Sequence, residues 1–158
     1  MDIESLRKIS FLRNLTDDEL NSFAALLDTR EYQQGDLILD EGSAPNALHI
    51  IREGTVHVRR SANTREMLLA RLGPGAFFGE INLFDPGLAT ASIYAMKKSR
   101  IAMIPYERFH AYMDAHPHAG YRIVSALLTE LSKRMRSTDE RLANAVMRPV
   151  APDAGASD

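Results

Sequence analysis

The sequence predicts a mainly β chain with helices flanking it at both ends. Three observations carry that expectation. Between Arg30 and Ile104 short alternating runs are punctuated by glycine, as in REYQQGD, ALHIIREGTVHVRR, REMLLARLGPGAFFGE and RIAMIP. Apolar residues before that stretch recur at helical spacing, and the chain turns helical again after Pro105. At 158 residues, 45% hydrophobic and 25% charged, the chain has ordinary globular composition and the size of one domain with a core of its own.

In the N-terminal part, residues 3–29, Leu6, Ile9, Leu12, Leu15, Leu20, Phe23, Leu26 and Leu27 are the apolar positions. They predict two short helices over about 3–10 and 17–28. Thr16 and Glu19 have the spacing of a capping box at the start of the second. Residues 30–104 then read as seven or eight short strands joined by tight turns, the pattern of a small antiparallel barrel or sandwich. Around Gly54 a hairpin centred on Glu53 places Leu48, Ile50, Val56 and Val58 on one face and sets His49 opposite His57 on the other. Lys97 to Arg100 reads as a charged hairpin tip.

The C-terminal helical part spans 105–146. A helix of about ten residues from Tyr106 to Ala115 and a His116-Pro117-His118 loop precede a long helix from about His118 to Val146. Within it Val124, Leu128, Leu131, Met135, Thr138, Leu142 and Ala145 alternate steps of four and three, a heptad seam. Some 28 residues make about 40 Å at 1.5 Å per residue, longer than one small barrel covers, so the seam predicts a homodimer through this helix. The alternative is packing of the seam on the chain's own barrel. The tail, 147–158, is small, polar and proline-containing, which predicts disorder.

Composition excludes several function classes. With no cysteine, thiol nucleophiles, zinc ribbons and disulfide frameworks are excluded, and a cytoplasmic location is expected. A net charge of −2 supplies no global field for nucleic acid or anionic lipid, and no secretory or membrane-spanning segment is signalled. His49 and His57 have no recognisable third ligand, so no metal is expected. Neither G-x-S-x-G nor H-E-x-x-H occurs, and the chain is read as a non-enzyme.

The most informative stretch is LGPGAFFGEINLFDPGLATASIYA, Leu72 to Ala95. A glycine-rich turn passes through Phe77 and Phe78 to Gly79-Glu80, one apolar helical turn follows, and a Pro-Gly break leads to Thr90, Ala91 and Ser92. Free backbone N–H groups, close approach at glycine and nearby hydroxyls make a small anion cradle with one carboxylate beside it. Such a carboxylate suits a ligand that also presents sugar hydroxyls. The plain alternative is a strand-end glutamate satisfied by Arg134 or by backbone.

At these residues the sequence resembles the cyclic-nucleotide-binding domain family, in particular the regulatory domains of catabolite-activator and FNR-like regulators. The resemblance covers about residues 11 to 146 and includes Gly35, Gly42, Gly54, Gly75, the Phe78-Gly79-Glu80 triplet and the helix segment Leu131 to Asn144. It implies an eight-stranded antiparallel β-roll, also described as a double-stranded β-helix or jelly roll, with N-terminal helices and a long C-terminal dimerisation helix. Residues 1–146 would form this one domain.

Carried over position by position, the resemblance implies that Glu80 and the backbone of Gly79 hold a ribose hydroxyl, with Phe78 and Ile81 beside them. Thr90 and the N–H groups around Ala91 would hold a cyclic phosphate. Val58, Leu69 and Leu72 would line the base, and Thr138 would touch it from the long helix. Arg134 falls where such helices carry an arginine that pairs with the glutamate. The implied regulatory ligand is cyclic AMP or another cyclic nucleotide.

Two departures stand out. The family's phosphate arginine falls at Ala89, so the cassette has no arginine. A charge-assisted contact is worth about 1.5–3 kcal/mol, and its loss weakens binding by about 10- to 150-fold unless Arg134, Arg71 or Lys97 substitutes. No helix-turn-helix segment follows the long helix within these 158 residues, so a stand-alone domain acting through a separate effector protein, without direct nucleic-acid or membrane contact, is expected. Two functions result: a sensor that couples a small anionic ligand in the roll to a homodimer helix, or a ligand-independent dimeric scaffold with a vestigial nucleotide pocket.

Overall fold

The first four turns of chain explain why the N-terminal helices are shorter than the apolar pattern suggests. Leu6, Ile9, Leu12 and Leu15 recur every three residues, and Ile9, Leu12 and Leu15 each donate their N–H to the carbonyl three residues back. Period-three apolar spacing fits turns of that kind, which stack i and i+3 side chains, better than a 3.6-residue helix. In the computed structural model, which describes residues 2–147, α1 is therefore only Ile3–Arg7. The capping box at Thr16 and Glu19 forms as expected and starts α2, Asp17–Ala24.

Eight strands follow: β1 (Asp28–Tyr32), β2 (Leu37–Leu39), β3 (Ala47–Glu53), β4 (Val56–Ala62), β5 (Arg65–Leu72), β6 (Phe77–Phe78), β7 (Ser92–Ala95) and β8 (Ser99–Pro105). They form two antiparallel four-stranded sheets in the orders β1-β8-β3-β6 and β2-β7-β4-β5. This is the eight-stranded roll, mainly β with flanking helices.

The expected hairpin at Gly54 is corrected: β3 and β4 lie in different sheets and do not pair. His49 is registered with Phe78 and Met103, whereas His57 is registered with Arg71 and Tyr94. Gly54, at φ +98°, carries the chain across, and a Cβ there would lie 2.0 Å from the Ser99 hydroxyl oxygen. The Lys97–Arg100 segment is likewise a crossing between β7 and β8, not a hairpin tip, and Ser99 is fully buried. A strand in a roll is covered on both faces, so Ala47 to Ile51 are all buried and no alternation marks the inner side. Among the described residues only β4 and β5 form a tight hairpin, over Asn63 and Thr64 with φ of 46° and 70°.

Two apolar clusters result. One joins Leu48, Ile50 and Phe77 to the helices through Leu12, Phe23 and Phe109, with Phe11 edge-on to Phe77. The other lies between the sheets and contains Ile51, Val56, Phe78, Ile93 and Ile101. Neighbouring residues of one strand thus serve different cores.

Three further helices occur among the described residues: α3 (Ile81–Phe84), between β6 and β7, and α4 (Tyr106–Ala115) and α5 (Pro117–Val146), after β8. The expected loop at His116 to His118 shrinks to His116 alone, because Pro117 takes the first position of α5, where its missing N–H costs nothing. Gly120 lets α5 close on α4, since a Cβ there would sit 3.2 Å from Met113. The 30 residues of α5 make about 45 Å. Its buried residues, Ala119, Gly120, Ile123 and Leu127, all lie in its first half. Of the expected disordered tail, residues 148–158 lie outside the described residues.

Candidate functional site

Between β6 and β7 the chain makes a short excursion that β-strand geometry does not explain. Gly79 takes φ +87°, and a Cβ there would lie 2.7 Å from the Ala47 carbonyl, so glycine is required on two counts. The Gly79 carbonyl accepts a hydrogen bond from the Tyr106 hydroxyl. Burial and the nearby Glu80 charge push the Tyr106 phenol up to about 12, so it stays a donor. Four residues on, the Leu83 carbonyl accepts from His110 Nε2 at 2.9 Å, which fixes that nitrogen as protonated. Two side chains of α4 therefore hold the excursion from behind.

Beneath it, His49 stacks on Phe78 with ring centroids 4.7 Å apart and planes 5° apart. Burial pushes the His49 imidazole down to about 4, so it is neutral at physiological pH. Glu80 comes next and is 7% exposed. Its Oε1 accepts from Arg134 Nη1 at 2.8 Å. Arg134 also lies 3.5 Å from Glu130 and its guanidinium sits 4.9 Å above the Phe77 ring. A buried carboxylate, a guanidinium and an aromatic face so tie α5 to the excursion.

The excursion, the inner face of β4, β5 and β7, and the middle of α5 enclose one cavity of about 660 Å³, within the usual range for small-molecule sites. Of the residues singled out in the sequence, Val58, Leu72, Phe78, Gly79, Glu80, Ile81, Ala89, Thr90, Ala91, Arg134 and Thr138 all line it. Leu69 is not among them. Val58 is registered with Ala70 and Arg59 with Leu68, so a bulge leaves Leu69 between the two pairs. Ala70 lines the cavity in its place, and Leu69 is 46% exposed.

Ala89 is pinned where an arginine was sought: its N–H donates to the Ser43 carbonyl and its carbonyl accepts from Gly42. Ser92 is structural, its hydroxyl accepting from the Glu41 N–H and donating to Asp40. Neither Arg71 nor Lys97 reaches the cavity lining. Sequence reasoning missed Leu39, Ile93 and Asn82, and on α5 Lys133, Ser137 and Arg141. The spacing of 133, 137 and 141 was a readable signal, since i and i+4 share a helix face. No group of three metal-ligating side chains occurs among the described residues, and His49 and His57 lie in different sheets.

The heptad seam divides. Leu131 is half-buried and Thr138 faces the cavity, with its hydroxyl donating to the Arg134 carbonyl. Val124, Leu128, Met135 and Leu142 are exposed, with Leu128 at 63% and Met135 at 67%. No helix among the described residues is long and apolar enough to cross a membrane.

Comparison with known proteins identifies the family and the fold. Over 148 residues the chain is 27% identical to a CRP-like cAMP-activated global transcriptional regulator of Mycobacterium tuberculosis, a match covering 93% of this chain and 64% of that one. It is 33% identical over 124 residues to glutaminase 1 of Bradyrhizobium diazoefficiens, covering 78% of this chain and 20% of the glutaminase. The chain thus spans less than two-thirds of either relative. Its fold matches a cyclic nucleotide-binding domain structure from Methylobacillus flagellatus with a TM-score of 0.82, at 21% identity, over 95% of this chain and 85% of that one. The family model for the cyclic nucleotide-binding domain matches residues 29–116, from the start of the roll to the end of α4, and the chain belongs to that family.

Proposed function

We propose that this chain is a non-enzymatic regulatory sensor that takes a small anionic ligand of the cyclic-nucleotide type in the roll and reports occupancy through α5. The ion pair between Glu80 and Arg134 carries this reading. It joins the residue best suited to a sugar hydroxyl to the helix best suited to transmit a change.

Glu80 and Gly79 hold the ribose in this reading, and Thr90 and the N–H groups around Ala91 face the phosphate. Val58, Leu72 and Thr138 surround the base. A ribose hydroxyl that bonds Glu80 competes with Arg134, which is then released toward the anion that Ala89 leaves without a cation. The helix responds only to the extent that ligand affinity differs between its tied and untied arrangements. The exposed Leu128, Met135 and Leu142 pack against the same residues of a second copy, and a separate effector protein reads the dimer. Residues 1–146 act as one unit, and the lack of cysteine supports a cytoplasmic setting.

The test is displacement of a fluorescent cyclic nucleotide by cyclic AMP and cyclic GMP, with saturable binding below millimolar ligand expected. Ala89 favours a second reading, a dimeric scaffold with a vestigial pocket. Thermal melts separate the two, because a ligand raises stability only when it binds the folded state. A melting temperature indifferent to every cyclic nucleotide supports the scaffold.

A further inference from the structure

The charges around the cavity are unevenly placed. On the roll side, Glu80 is the charged lining residue. The α5 wall carries two rows of side chains at i, i+4 spacing. One row, Glu130, Arg134 and Thr138, is internally satisfied: Arg134 meets both Glu80 and Glu130, and Thr138 bonds the helix carbonyl. The other row, Lys133, Ser137 and Arg141, lines the same cavity with two cations and a hydroxyl. Neither Lys133 nor Arg141 has a salt-bridge partner among the described residues. Their Cα atoms are eight residues apart, about 12 Å along the axis at 1.5 Å per residue. Side chains of their length are able to span that distance to a group lying between them, beside Ser137.

Resting on the ligand-sensor reading, we propose that Lys133, Ser137 and Arg141 form a second anion subsite of this cavity, beside the one at Thr90 and Ala91, and that the ligand is a nucleotide carrying at least one negative charge more than a cyclic mononucleotide. The cassette, with alanine at position 89, offers only neutral donors to an anion, enough for one phosphate but not for a second charge. Recognition of the further charge then falls to α5. A ligand held by α5 itself biases that helix directly.

The experiment titrates the full chain by calorimetry with three probes: cyclic AMP (one charge), adenosine 5′-diphosphate (about three) and inorganic pyrophosphate, which has the charge without sugar or base. Wild type is expected to bind adenosine 5′-diphosphate at least tenfold more tightly than cyclic AMP. The double variant Lys133→Ala with Arg141→Ala is expected to lose that preference, and Lys133→Arg to keep it. Both positions are solvent-exposed, and an unchanged melting curve confirms that the double variant folds. Pyrophosphate binding as tight as the diphosphate nucleotide overturns the nucleotide part of the proposal. Tighter binding of cyclic AMP, unaltered in the double variant, overturns the helix subsite while leaving the sensor reading standing. No binding of any probe overturns both.

Discussion

Arg134 reaches Glu80 across 54 residues of sequence, Nη1 to Oε1 at 2.8 Å, while the same guanidinium covers the face of Phe77. The contact fastens the middle of α5 to the excursion between β6 and β7. Among the described residues it is also the one ion pair whose carboxylate is buried in the wall of the cavity.

Replacing Arg134 by alanine leaves that carboxylate buried without its partner. The expected cost is about 1–3 kcal/mol, the usual penalty for an unmatched buried polar group. For a domain of this size that lowers Tm by roughly 2–4 °C per kcal/mol. Calorimetry of Arg134→Ala beside Arg134→Ala with Glu80→Gln checks the cause, because the second change removes the stranded charge and recovers part of the loss.

Ala89→Arg supplies the cassette with a cation. Ala89 lines the cavity with its backbone fixed by Gly42 and Ser43, so the new side chain has space only toward the ligand. Affinity for cyclic AMP is expected to rise about 10- to 150-fold, the worth of a charge-assisted contact. Side-by-side isothermal titration of wild type and variant reads it, and an unchanged affinity rejects a phosphate position next to residue 89.

His49 gives the fold a pH dependence. Burial depresses its folded value from 6.5 to about 4, so the folded state excludes a proton that the unfolded state accepts. Stability is therefore fully present above pH 6.5 and is lost as pH falls from 6.5 toward 4, by at most about 1.4 kcal/mol per pH unit. Urea midpoints measured at several pH values are expected to fall across this window in wild type and to fall less steeply in His49→Phe, which keeps the stack on Phe78 and leaves the smaller contributions of His57 and Glu19.

Gly79→Ala tests the backbone of the site. The alanine must hold φ +87° and place its Cβ 2.7 Å from the Ala47 carbonyl. Left-handed strain alone costs on the order of 1–3 kcal/mol, and the close contact adds to it. A drop of several degrees in Tm is expected, together with loss of ligand binding.

The seam on α5 predicts an oligomer. Leu128 and Met135 are exposed, so Leu128→Glu with Met135→Glu removes little from the monomer's own core. Wild type is expected to sediment as a dimer and the double variant as a monomer with an unchanged circular dichroism spectrum. A monomeric wild type at tens of micromolar rejects the seam.

Much of the architecture was legible because it is written in local chemistry. Thr16 and Glu19 announced a cap, Tyr106 to Ala115 a helix between proline-containing boundaries, and the glycine-punctuated runs the strands. The Phe78-Gly79-Glu80 triplet and the residues that follow it marked one side of the cavity, since they are contiguous in sequence. Pairing partners were not legible. A hairpin and a crossing between sheets begin with the same turn residues, and His49 faces Phe78, not His57, because burial on both faces of β3 erases the alternation that would reveal its inner side.

Seven or eight strands, the capping box at Thr16 and the glycine-rich turn into Gly79 and Glu80 were readable in the chain alone, and the resemblance added the missing arginine at 89. These depend on residue type and on distances of a few positions along the chain. The tertiary structure alone decided that Lys133 and Arg141 face the same cavity as Thr90, that a bulge replaces Leu69 by Ala70, and that Tyr106 and His110 brace the excursion from α4. Those relationships rest on how strands register and how a helix packs across a roll, and such contacts span dozens of residues that no local pattern encodes.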